Sequence, residues 1–397
     1  PLKSLRNLIN NSKIDIPDNL PPLSAGLFGY IGYDMVSYFE NISIENADPL
    51  ELPETILIRP SLICIFDRLK DEFILITPVR PKLGVTAEQA WNKGTKIIAN
   101  AVNELNSGLD HSNLPVQKDF HQDNNAPSNL TKSEFYSSVE KAKEYIKSGD
   151  VYQVVLSQRF EIPFKKSSIS FYRSLRRLNP SPFLFHFNFG DFYVVGSSPE
   201  ILVRLRDNEC TIRPIAGTRP RGKNKIEDLK LKEELLNDPK ERAEHLMLLD
   251  LGRNDVGRVS KPGTVEVTES FSVEMYSHVM HIESEVKGEL RGELDSLDAL
   301  IAGFPAGTVS GAPKIRAMQI IEELETERRG IYSGAVGYFS ASGDLDTCIA
   351  LRTGIIKDGK LYVQAGGGIV HDSTNEGEEL ETRNKAKALI RAAELAD

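Results

Sequence analysis

Residues 183–195 read FLFHFNFGDFYVV. Two runs rich in aromatic and β-branched residues, 183–189 and 192–195, flank a Gly-Asp break, and their closeness predicts two strands paired as a hairpin. Outward from this pair, strand-like runs recur at 25–33, 56–58, 64–67, 73–75, 151–160, 334–340, 347–355 and 360–364. Helical spacing marks 87–105, 228–236, 240–251, 314–325 and 376–395. A further helix starts at Thr131, whose T-x-x-E pattern with Glu134 is a capping box; Phe135, Val139, Ala142 and Ile146 continue it, and Gly149 ends it. Strands and helices come in clusters without regular βαβ alternation, which predicts an α+β fold with antiparallel sheet.

Residues 106–130 (NSGLDHSNLPVQKDFHQDNNAPSNL) are rich in Asn, Asp, Ser and Pro and read as a linker or long loop. The expected organisation is an N-terminal region at 1–105 that contributes strands to the sheet structure, this linker, and a larger domain at 131–397. The chain has 397 residues and a net charge of −9, with no long basic run, which argues against nucleic acid or an anionic membrane as partner. No run of eighteen apolar residues could span a bilayer. Cys64, Cys210 and Cys348 match no zinc or disulfide pattern; each reads as a small buried hydrophobe in a reducing cytoplasm. The start at Pro1 reads as a trimmed N-terminus.

Several constellations could carry chemistry. Glu241/Glu244 and Glu378/Glu381 are E-x-x-E pairs, each able to turn two carboxylates to one side of a helix and suited to Mg²⁺. With 57 acidic residues, solvated helix faces explain such pairs as readily, although the HLMLL run at 245–249 sends the first helix toward a core. The segment FPAGTVSGAPK (304–314) has the wrong spacing for a phosphate loop. QAGGGIV (364–370) places three glycines after a strand, as a tight turn or as bare amides facing an anion. PIAGTR (214–219) reads as a similar loop. His278 and His281, three apart in an extended stretch, fall on opposite faces.

Taken together, these segments resemble the chorismate-utilising enzymes, most closely the large subunits of anthranilate synthases. The markers run from about Gly26 to the C-terminus: GLFGYIGYDM (26–35), GDVYQVVLSQRF (149–160), NPSPF (179–183), GSSPE (196–200), PIAGTR, ERAEHLMLLDLGRND (241–255), FPAGTVSGAPKIRAM (304–318), DLDTCIALRT (344–353), QAGGGIV and ELETRNKAKA (379–388). The resemblance implies a β-sandwich core of antiparallel sheets with helices packed outside. It implies a lyase of tryptophan biosynthesis that converts chorismate and ammonia to anthranilate and pyruvate. Glu244 and Glu381 would bind Mg²⁺, with Glu241 and Glu378 nearby. Arg352 would take the enolpyruvyl carboxylate, in a pocket completed by Tyr332, Gly217, Thr218, Gly366, Gly367, Gly368 and Lys385. Glu200 matches the general acid, and His281 the histidine tied to elimination.

Two positions bear on the choice among relatives. Aminodeoxychorismate synthases commonly carry a lysine where this chain has Ala216. Isochorismate and salicylate synthases carry a water-activating lysine where it has Gln153. A neutral amide cannot act as that base, whereas ammonia needs none, so both positions point to anthranilate. No cysteine-centred amidotransferase triad is present, so the resemblance implies a separate glutamine amidotransferase subunit and hence a hetero-oligomer. In the family, tryptophan binds between an L-L-E-S-type segment and the N-P-S-P-F region. Pro182, Phe183 and Leu184 supply the second half and the first has no counterpart in this sequence, so the expectation is a chain that does not answer to tryptophan.

Overall fold

The computed structural model describes residues 1–107, 126–276 and 279–396. Phe183–Asn188 and Phe192–Ser198 do pair antiparallel, with Phe183 opposite Ser198 and Asn188 opposite Tyr193. They form one edge of a six-stranded sheet. Its order continues through Thr353–Lys357, Lys360–Ile369, Gln153–Pro163 and the two-residue strand Gly311–Ala312. A nine-stranded sheet runs in the order Ile215–Pro220, Val279–Glu289, Glu209–Ile212, Ile201–Arg206, Leu345–Ile349, Ala335–Ser340, Gly26–Ile31 and Thr55–Ile58, with Glu266–Met275 also on Val279–Glu289. All pairings between these strands are antiparallel.

The two sheets face each other across a shared apolar layer. Tyr30, Val336 and Cys348 of the larger sheet pack with Phe192, Val194 and Ile355 of the smaller one. A Val, Ile or Phe side chain is worth about 1.5–3 kcal/mol when fully buried, so this layer supplies a driving force for joining the sheets. Helices cover the outer faces. Ser296–Gly303 packs Leu297 and Leu300 against Val203 and Leu205 of the larger sheet. Lys132–Ser148, Ser168–Leu178, Lys314–Leu324 and Asn375–Glu394 cover the smaller one. The architecture is therefore the expected sandwich with external helices.

Local signals account for the element ends. The Thr131 hydroxyl accepts from the Glu134 amide at 3.3 Å, while the Glu134 carboxylate accepts from the Thr131 amide at 2.8 Å. Gly149 closes that helix at φ +83°, a left-handed position that suits glycine. Three expectations change. PIAGTR is not a loop: Ile215–Pro220 is a strand with a register shift between Ala216 and Thr218, where Gly217 takes φ +71°. The three glycines lie inside Lys360–Ile369, opposite Ser157, Leu156 and Val155, so they form neither a turn nor a loop. Cys64 is exposed, because Ile63–Asp67 pairs with Glu72–Ile76 in a two-stranded sheet of its own. Cys210 and Cys348 are buried as expected. Most of the expected linker (108–125) and His278 lie outside the described residues.

Two chain crossings between the sheets set up the site. After Phe192–Ser198 the chain leaves the smaller sheet and, through Pro199 and Glu200, enters the larger at Ile201. After Leu345–Ile349 it returns, through Ala350–Arg352, to the smaller sheet at Thr353. The crossings run side by side: the Ile349 amide donates to the Glu200 carbonyl at 3.1 Å, and the Ser197 amide to the Arg352 carbonyl at 3.1 Å.

Candidate active site

Glu200, on the first crossing, is buried. Its carboxyl accepts from the Thr308 hydroxyl at 3.0 Å and from the Ile215 amide. Burial outweighs both bonds and pushes its pKa up to about 8, so the group holds a proton at neutral pH. Arg352, on the second crossing, has φ +47°, rare for a non-glycine residue. Its Nη1 donates to Asn179 Oδ1 at 3.0 Å. Among the described residues it has no salt bridge, and burial lowers its pKa from the usual guanidinium range. A neutral amide thus orients this cation without cancelling its charge.

His281 lies on Val279–Glu289 with Nδ1 3.1 Å from the Gly217 carbonyl and 3.0 Å from the Thr218 hydroxyl. The carbonyl can only accept, so that bond places a proton on Nδ1 and leaves Nε2 with its lone pair. Burial lowers the histidine's pKa, and the charges of Arg352 and Lys385 lower it further. The Tyr276 ring meets His281 edge-on at 5.6 Å.

The glycine run lets other groups approach the smaller sheet. A Cβ at Gly366 would lie 2.7 Å from the Tyr332 hydroxyl, one at Gly367 2.6 Å from Glu378 Oε2, and one at Gly368 2.5 Å from Gln153 Nε2. Lys385 donates to the Gly366 carbonyl at 3.0 Å and pairs with Glu381 at 2.7 Å. Gln153 is buried, and its Oε1 has no hydrogen-bond partner.

The four glutamates come from two helices, Pro239–Gly257 and Asn375–Glu394. Glu241 is held by Arg219 at 3.0 Å and Glu381 by Lys385. Glu244 and Glu378 have no salt-bridge partner among the described residues, and Glu378 Oε2 is buried without any hydrogen bond. Burial raises the pKa of Glu244, and the charges of Glu241 and Glu381 raise it further; burial raises Glu378 likewise. Among the described residues no three His, Cys, Asp or Glu side chains are grouped closely enough to hold a metal ion themselves. The donor chemistry still fits Mg²⁺: oxygen ligands only, mutual repulsion for a cation to relieve, and one orphaned carboxylate oxygen beside the bare Gly367.

The structure therefore connects Glu200, His281, Gln153, Gly217, Thr218, Tyr332, Arg352, the three glycines, Lys385 and the four glutamates through contacts and mutual charge. Pro182, Phe183 and Leu184 stand where the edge strand Phe183–Asn188 begins, with Leu184 opposite Ser197, whose amide donates to the Arg352 carbonyl. The sequence does not mark Thr308, Asn179 and Tyr276 as site residues. The first two sit inside the motifs at 304–318 and 179–183, but a threonine or asparagine there carries no spacing signal, and Tyr276 has no signal at all.

The sequence profile of the chorismate binding enzymes matches residues 1–391. The chain belongs to that family. Among its relatives, anthranilate synthase component 1 of Cereibacter sphaeroides is 54% identical over 399 residues, covering 100% of this chain and 79% of the relative. That of Aquifex aeolicus is 49% identical, covering 100% and 80%. The crystal structure of anthranilate synthase component I from Streptococcus pneumoniae TIGR4 superposes with a TM-score of 0.87 at 40% identity, covering 97% of this chain and 85% of that one. In this chorismate binding enzyme the acidic helices, the glycine strand and the crossings are linked by contacts and mutual charge. No helix among the described residues is long and apolar enough to cross a membrane.

Proposed function

We propose that the chain is the chorismate-binding subunit of an anthranilate synthase, converting chorismate and ammonia to anthranilate, pyruvate and water in tryptophan biosynthesis. One observation carries the reading: a buried carboxyl, Glu200, keeps its proton to about pH 8 on a crossing that runs beside the one carrying Arg352, a guanidinium with no carboxylate partner among the described residues. Chorismate needs both features. Its carboxylates need cations, and its ring hydroxyl leaves poorly unless protonated.

In this reading Arg352 grips the enolpyruvyl carboxylate with its fork of donors, and Tyr332, Gly217, Thr218, Gly366, Gly367 and Gly368 line the pocket beside Lys385. Ammonia forms a bond to ring carbon C2, the double bonds shift, and the C4 hydroxyl departs as water with the proton of Glu200. Gln153 offers its unpartnered Oε1 to an N–H of the incoming ammonia. His281, with Nε2 unprotonated, acts in the elimination, where the C2 proton and pyruvate are lost and the ring becomes aromatic. Glu244 and Glu381, with Glu241 and Glu378, would hold Mg²⁺, which when bound supplies positive charge for the ring carboxylate. A glutamine amidotransferase subunit would deliver the ammonia. The place of reaction would be the cytoplasm, which suits three free cysteines.

The test is chorismate with Mg²⁺ and a high ammonium concentration near pH 8, where free ammonia is present and Glu200 still keeps its proton, read by anthranilate fluorescence. Folded protein that gives no signal overturns the reading. Isochorismate as product would favour a water-using relative, a reading that the neutral Gln153 opposes.

A further inference from the structure

Behind the pocket lies a charged group that the reaction does not touch. The side chain of Arg329 is 1% exposed, yet each of its five N–H groups has an acceptor. Nε donates to Glu325 Oε2 at 2.9 Å, and Nη2 to Glu325 Oε1 at 2.6 Å and the Val155 carbonyl at 2.7 Å. Nη1 donates to the Val309 carbonyl at 2.7 Å and the Ser333 hydroxyl at 3.4 Å. The guanidinium lies 4.9 Å from the Tyr33 ring centre and 5.6 Å from that of Tyr332. Glu325 Oε1 also accepts from the Ser157 amide and hydroxyl, both at 2.8 Å.

Each anchored atom adjoins a group of the site. Val309 follows Thr308, which holds Glu200. Val155 pairs with Gly368 and lies two residues from Gln153; Ser157 pairs with Gly366. Ser333, at φ +65°, follows Tyr332. A buried ion pair is a weak device for stability alone, since an apolar pair of similar volume often serves the fold as well or better. An apolar pair cannot supply five directed bonds to three separate segments.

We propose that Arg329 is a positioning residue, which through one guanidinium locks Tyr332, the Thr308–Val309 segment and the Gln153–Ser157 stretch into a single rigid set before substrate arrives. The inference rests on the anthranilate synthase reading for its kinetic consequence, but not for its structural one. Arg329 touches no substrate; it acts through Thr308, Tyr332 and the strand.

The test compares the wild type with Arg329→Met/Glu325→Leu, which removes both charges together, and with Arg329→Lys, which keeps the charge but has fewer donors. In the folded double variant, kcat falls on the order of 10- to 100-fold, the cost of slight misplacement. Its alkaline limb moves to higher pH, because a slack Thr308 no longer favours ionised Glu200. Amide hydrogen exchange measured without substrate rises together at 153–157, 307–311 and 330–334. Arg329→Lys keeps the buried cation yet does not restore kcat, and it loosens the same three segments. Should the double variant fail to fold, Arg329→Lys decides alone by kcat and exchange. A folded variant whose kcat and exchange stay within about twofold of wild type overturns the proposal. Loosening confined to one segment overturns it too. A wild type inactive on chorismate defeats the proposed function instead, and the exchange pattern then decides the positioning role by itself.

Discussion

Thr308 and Glu200, 108 residues apart in the chain, meet as hydroxyl and carboxyl at 3.0 Å. The hydroxyl donates, so it favours the ionised carboxylate, yet burial prevails and the acid form persists to about pH 8.

Glu200→Gln removes the transferable proton, and kcat should fall by about 10²–10⁴-fold. In the wild type, kcat should decline as pH rises past about 8, where the acid is lost. The same titration sets a stability difference. With a folded pKa of about 8 against an ordinary 4.5, the stability linked to Glu200 is full below pH 4.5 and is lost as pH rises through 8. Glutamine has no such loss. Thermal melts should show Glu200→Gln gaining on wild type between pH 4.5 and 8 and holding that gain above it; parallel melting curves across that range would contradict the assignment.

Arg352→Lys keeps a cation but gives up the planar fork and the bond to Asn179. Steady-state kinetics should show KM for chorismate rising about 10- to 100-fold with kcat changed much less. An unaltered KM would remove Arg352 from the carboxylate site.

Gly367→Ala puts a methyl group 2.6 Å from Glu378 Oε2 at a position without positive φ, so the carboxylate must move while the strand need not. Calorimetric titration should show Mg²⁺ binding weakened about 10- to 100-fold. Equal affinity in the two proteins would separate Glu378 from the ion.

Thr131→Ala deletes the hydroxyl half of the capping box at the head of Lys132–Ser148. Urea unfolding should show a loss of about 1 kcal/mol, and anthranilate formation should be unchanged.

How much of this was legible in the sequence depends on the range of the signal. The capping box at Thr131 and the hairpin around Gly190 and Asp191 are local, and both formed as read. The run at 347–355 is mostly apolar and reads as one strand, but it is two strands in different sheets with Arg352 in the gap. Hydrophobic periodicity cannot register such a crossing, because both strands are buried on either side of it. The glycines at 366–368 look like a turn for a similar reason. Their purpose is the approach of Tyr332, Glu378 and Gln153 from distant segments, which no local window contains. Motif resemblance reaches the candidate site residues, while the residues that hold them in place, such as Thr308 and Asn179, leave no local signal.

The paired crossings give the pocket a mechanical character. Glu200 and Arg352 belong fully to neither sheet: each sits where the chain steps from one to the other, and amide-to-carbonyl bonds tie the two steps together. A change in the angle between the sheets would therefore reach the acid and the guanidinium directly. The layer of Tyr30, Val194 and Cys348 joins the two sheets, so mutations there would act on the acid and the guanidinium through the angle between the sheets, without a contact to either.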